Sequence, residues 1–174
     1  GRGILGSVFA FACFHKVVGG HFLNGDVFYF SFLTESRFLP IVRLFSSDAQ
    51  TVVMHNLTLM SKAMESGNAT VLEGFLYPHV FEFARFSSLL MFCLQAVIAL
   101  LFLLPLPGSF AKFRHIFLGI FLVIAYTVTP IIGFGLILTL FALAQDEDAT
   151  WAKPVYLACM VAILFGNSIL SLGL

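Results

Sequence analysis

The sequence predicts an all-α integral membrane protein of about four transmembrane helices, with an interfacial helical cap between the first two. Three observations lead there. Of 174 residues, 60% are hydrophobic and only 10% charged, and the mean hydropathy is +1.01. A soluble domain of this size needs more polar residues to cover its core, so the surface must be largely lipid or other protein. Residues 87–106, "SSLLMFCLQAVIALLFLLPL", have Gln95 as their one strongly polar side chain, over a length that matches a hydrocarbon core. Two more apolar runs follow, the second reaching Leu174.

Taken in order, the first membrane segment covers residues 1–18, its apolar part running from Gly3 to Val18. It is short, as a retained or truncated span would be, and places His15 and Lys16 near its end. Residues 19–84 are too polar for a simple span and are expected as an extramembrane or interfacial cap. Within it, Asp48 is placed to cap a helix that carries Val52, Val53, Leu57, Met60 and Met64 on one side. "ESGNAT" marks a turn, and "VLEGFLYPHVFEFARF" reads as a second interfacial helix broken near Pro78.

Residues 85–174 form the expected three-helix membrane region. Its first span ends at Pro105, Pro107 and Gly108. Residues 115–145 read as one long span, tilted or kinked at Pro130, with a broken pair of half-helices as the alternative. The last runs from Pro154 to Leu174. With Arg2 inside, alternation puts Lys112 and Arg114 inside as well, and Asp146, Glu147 and Asp148 outside.

The net charge is zero, with 9 basic and 9 acidic residues, which argues against a nucleic-acid-binding surface. Cys13, Cys93 and Cys159 sit in separate apolar runs, without the paired spacing of a zinc site. "NLT" at Asn56 and "NAT" at Asn68 are N-glycosylation acceptor patterns in the segment expected outside.

Lys16 has two readings. A partly desolvated lysine with a lowered pKa could act as a base; more simply, its stem snorkels to the headgroups and anchors the helix. His79, Glu82 and Arg85, spaced by three, share a helical face and could move protons, bind a headgroup or form a local Glu82–Arg85 ion pair. His21, His55 and His115 stand isolated in sequence. Tyr126, Thr127 and Thr129 offer hydroxyls to carbonyls loosened by Pro130. "GFGLIL", with Gly133 and Gly135, lacks the spacing and preceding strand of a dinucleotide fingerprint. The 22 phenylalanines suit packing in a membrane bundle or contact with a lipid or quinone-like molecule. No cofactor or metal motif accompanies them.

"FHKVVGGHFLNGDVFYFSFL", "YPHVFEFARFSSLLMFCLQAVIALLF" and "PIIGFGLILTLFALAQ" together cover about residues 10–145. In these blocks the chain resembles the membrane domain of the vitamin K-dependent gamma-glutamyl carboxylases and their bacterial homologues. The resemblance implies that Lys16 corresponds to the base of vitamin K epoxidation and carboxylation. It departs from the family at "AYTVTPIIGFG", where a histidine is expected, and in having no large soluble substrate-binding part. A shortened relative or an accessory membrane protein fits that departure. The functional expectation is therefore a structural or accessory subunit without independent activity, partnered by other integral membrane subunits and lipids. The alternative is a carboxylase-like or quinone-using enzyme, with Lys16 as base and Glu82 as a second participant.

Overall fold

The computed structural model describes residues 2–67, 69–75, 79–106, 108–128, 132–144 and 150–172, and every regular element among them is helical. The helices are α1 (Arg2–Gly19), α2 (Asp26–Thr34), α3 (Leu39–Val42), α4 (Ala49–Ser66), α5 (His79–Leu103), α6 (Gly108–Val128), α7 (Ile132–Leu143) and α8 (Lys153–Leu172). Among the described residues, α1 and α5 are long and apolar enough to cross a membrane. The chain forms two compact units, one of Gly1–His15 with Phe92–Leu174 and the other Lys16–Met91.

In the unit Lys16–Met91, the turn after α1 depends on two glycines. Gly20 has a φ of 68° and Gly25, just before α2, a φ of 92°, a backbone region that costs other residues a Cβ clash. Gly25 is also where this turn meets α5, since a Cβ there would stand 2.7 Å from the Arg85 Cα. The aromatic run of α2 then supplies the core. Phe32 is edge-on to Phe28 and Phe38 and stacked on Phe83 at 5.7 Å, and Phe83 stacks in turn on Phe45 at 4.5 Å.

The predicted helix after Asp48 is present as α4, with a different buried stripe. Ala49, Val52, Val53 and Asn56 are buried, whereas Leu57 and Met64 are exposed. Asp48 precedes the helix without a side-chain cap bond to its N–H groups; its carboxylate instead accepts from the Ser46 hydroxyl. The expected interfacial helix over "VLEGFLYPHVFEFARF" divides differently. Residues 71–75 are non-helical, Pro78 lies outside the described residues, and from His79 the chain is already in α5. The expected boundary at residue 84 therefore falls inside a continuous 25-residue helix, about 37 Å long.

In the other unit, Leu5 and Phe9 of α1, Ile98 and Phe102 of α5, and Leu118, Phe121 and Leu122 of α6 are buried, and Phe9 meets Phe121 edge-on at 5.0 Å. Gly6 permits a close approach, because a Cβ there would lie 2.7 Å from Leu103 Cγ.

The C-terminus of α5 shows where its carbonyls find donors. In an uninterrupted helix, Leu101 O would accept from the N–H of residue 105, but that residue is Pro105 and has none. The Arg114 Nε donates to Leu101 O at 2.6 Å instead. The Arg2 Nε donates to Phe102 O at 3.1 Å, and both guanidiniums reach Leu104 O. Two cations thus complete a helix end whose dipole favours positive charge.

Residues 115–145, expected as one span, form two helices. His115 lies beside Tyr156 and Gly119 beside Cys159, so α6 and α8 run parallel in register. The chain between these neighbours must come back along α6, and α7, which packs against both α6 and α8, is that return. Its 12 residues span only about 18 Å. Trp151 therefore stands near His115, in the half of α6 that carries Lys112 and Arg114, which are helical rather than part of a connection. The chain preceding α8 was expected at the opposite side. Asp146, Glu147, Asp148, Thr129 and Pro130 lie outside the described residues, as do the side chains of Tyr126 and Thr127.

Candidate functional site

Lys16 and Glu82 occupy different surroundings. Lys16, in the last turn of α1, is half-buried, with its ammonium 4.8 Å from the centroid of the Phe22 ring, a cation–π distance. Glu82, in the first turn of α5, pairs with His79 at 3.3 Å rather than with Arg85, and both partners are more than 70% exposed. Glu82 and His79 line a surface pocket of about 520 Å³ with Leu44, Phe45, Phe83 and Phe86. Lys16 is not in its wall.

Two other histidines called isolated from the sequence also stand near carboxylates, His21 at 3.3 Å from Asp26 and His55 at 3.9 Å from Glu73. Among the described residues, no three His, Cys, Asp or Glu side chains converge as metal ligands would. The three cysteines are thiols.

Asn56 is fully buried and bonds in three directions. Its Nδ2 donates to Leu33 O at 3.2 Å and Glu73 O at 2.9 Å, while its Oδ1 accepts from the Glu73 N–H at 2.7 Å. This amide ties the segment after α4 to both α2 and α4, satisfying backbone groups that the non-helical segment leaves open. A glycan on Nδ2 would replace one of its two donor hydrogens and has no accessible surface to occupy. The "NLT" pattern at Asn56 is thus a latch in the folded protein; Asn68 lies outside the described residues.

A buried polar pair lies between α6 and α8, around His115. His115 is buried, and its Nδ1 shares a 2.7 Å hydrogen bond with the hydroxyl of Tyr156, itself almost wholly buried. Phe102 and Trp151 meet the imidazole edge-on, at 6.5 and 5.9 Å. Next to this cluster is a cavity of about 400 Å³, walled by His115, Trp151, Gly119, Ile120, Val155 and Cys159 among others. Its size falls within the range of small-molecule sites, and its mostly aliphatic wall with a few polar groups at one place is how such sites fix an apolar ligand. Sequence reading missed this site because His115 and its partner Tyr156 are 41 residues apart. The only local hint was a histidine beside two basic residues, Lys112 and Arg114.

Comparison with known protein families, characterised proteins and solved structures finds no match to this chain.

Proposed function

We propose that this protein is an integral membrane protein acting as a structural or accessory subunit of a larger membrane assembly, with α1, α5, α6 and α8 as its four crossing helices. The observation that carries the reading is the outward face of the long helices. On α1, Ile4, Phe11, Phe14 and Val18 fall on one side and remain 54–70% exposed, and α5 exposes Leu89, Leu90 and Leu100. Large apolar side chains in such stripes are covered by lipid or by another chain. The lengths agree, since 18 to 25 residues give about 27–37 Å against a hydrocarbon core of about 30 Å. In this arrangement α7 is a half-length return helix packed against α6 and α8.

Arg2 and Arg114, gathered at the end of α5, would mark the cytoplasmic side. The unit Lys16–Met91, with its exposed His–carboxylate pairs, would supply the docking surface for another subunit. A carboxylase-like reaction would require Lys16 and Glu82 in one solvent-restricted pocket, and the placement of Lys16 over Phe22 favours its role as an anchoring cation. Native mass spectrometry after gentle extraction, with identification of each co-purifying chain, tests the proposal. A reproducible stoichiometric multi-protein mass is the expected result. A stable monomer without partners would overturn the subunit role.

A further inference from the structure

The cavity beside His115 is elongated and lined almost wholly by apolar surface. On α6 its wall is the ridge Ile116, Ile120 and Ile124, with Val123 beside it, one residue per turn over about 12 Å. His115 and Trp151 stand at one end of it. One turn before Ile116, on the same ridge, stands the exposed Lys112. The order along the helix is therefore cation, aromatic end, then aliphatic trough.

That order matches an amphiphile with an anionic head and an aliphatic tail. A single hydrocarbon chain is narrow enough for the trough. Trp151 at the mouth is the residue type that sits at headgroup level, with an apolar ring and a polar N–H.

We infer that the groove between α6 and α8 is a binding site for an acyl chain of an anionic phospholipid, whose headgroup lies toward Lys112. The inference rests on the membrane reading above. The cation sets a preference among lipids, and the aliphatic trough holds the chain.

Trp151 is the single tryptophan in the sequence, so its fluorescence reports on the mouth of the groove. The full chain in an uncharged detergent would be titrated with phosphatidylglycerol brominated on its acyl chains, and separately with phosphatidylcholine carrying the same label. The expected result is saturable quenching, with half-saturation at about fivefold lower mole fraction for phosphatidylglycerol, the ratio one near-surface lysine supplies. Lys112→Gln should bring the two lipids together. Ile120→Phe and Val155→Phe, on opposite walls at exposed positions, should each remove the saturable phase without loss of helicity by circular dichroism.

Quenching that rises linearly with mole fraction, equal for both lipids and unchanged in both wall variants, would mean annular contact only and would overturn the site while leaving the membrane reading intact. A second chain found on this groove by cross-linking would also overturn it. A protein that stays monodisperse without detergent would refute the membrane reading itself, and the site with it.

Discussion

Replacing Arg114 with Met would leave Leu101 O without its donor, and the size of the loss can be worked from the geometry. Arg114 is only 4% exposed and donates to Leu101 O at 2.6 Å; its contact with Leu104 O, at 3.5 Å, is at the limit of a hydrogen bond. Leu104 O keeps Arg2 and the Leu106 N–H as donors, so the damage concentrates on Leu101 O. A hydrogen bond to a charged group contributes about 1.5–3 kcal/mol, and a buried acceptor left unsatisfied costs about 1–3 kcal/mol. Part of this is offset because Met no longer buries a cation. The expected net loss for Arg114→Met is about 2 kcal/mol.

Pro105 makes this reasoning refutable. Pro105→Ala restores the N–H that Leu101 O would accept from if α5 ran on by one residue. In that background Arg114→Met should cost much less, giving a coupling of about 1 kcal/mol or more in a double-mutant cycle. Reversible unfolding of the four proteins, in a mixed micelle titrated with a denaturing detergent, reads the cycle. Additive effects, or a loss below about 0.5 kcal/mol for the single variant, would show that Arg114 is not the substitute donor for Leu101.

Gly25→Ala combines a left-handed φ with a Cβ 2.7 Å from the Arg85 backbone and should destabilise the protein by about 3 kcal/mol, whereas Gly3→Ala, with open space around it, should be close to neutral; thermal unfolding compares them. Asn56→Ala should cost about 2–4 kcal/mol by orphaning the Glu73 N–H and two carbonyls. In an Asn68→Gln background expressed through a eukaryotic secretory membrane, the folded protein should show no endoglycosidase-sensitive mobility shift, and glycan on folded material at Asn56 would contradict the buried latch.

The sequence alone determined the all-helical, membrane-compatible character of the chain, because apolar run length and scarcity of charge are local properties. It also placed α1, α4 and α8 and the C-terminus of α5 within a few residues, whereas α5 begins at His79, eight residues before the expected start at Ser87. Asp48 preceded a helix as expected, and Pro105 stopped α5. Tertiary structure decided what local pattern leaves open. The run from residue 115 to 145 reads as one bent span, with two half-helices as the alternative, and only the pairing of His115 with Tyr156 and of Gly119 with Cys159 shows that the chain returns along α6. Asn56 matches a glycosylation pattern in one dimension and is a buried latch in three, since its partners Leu33 and Glu73 lie 23 and 17 residues away. Arg2 and Arg114 read only as basic residues until the carbonyls left open at the end of α5 came within reach of their guanidiniums. Composition and periodicity report how far a residue prefers lipid or water, whereas hydrogen-bond partners and cavities depend on which distant segments meet, and no short window of sequence encodes that meeting.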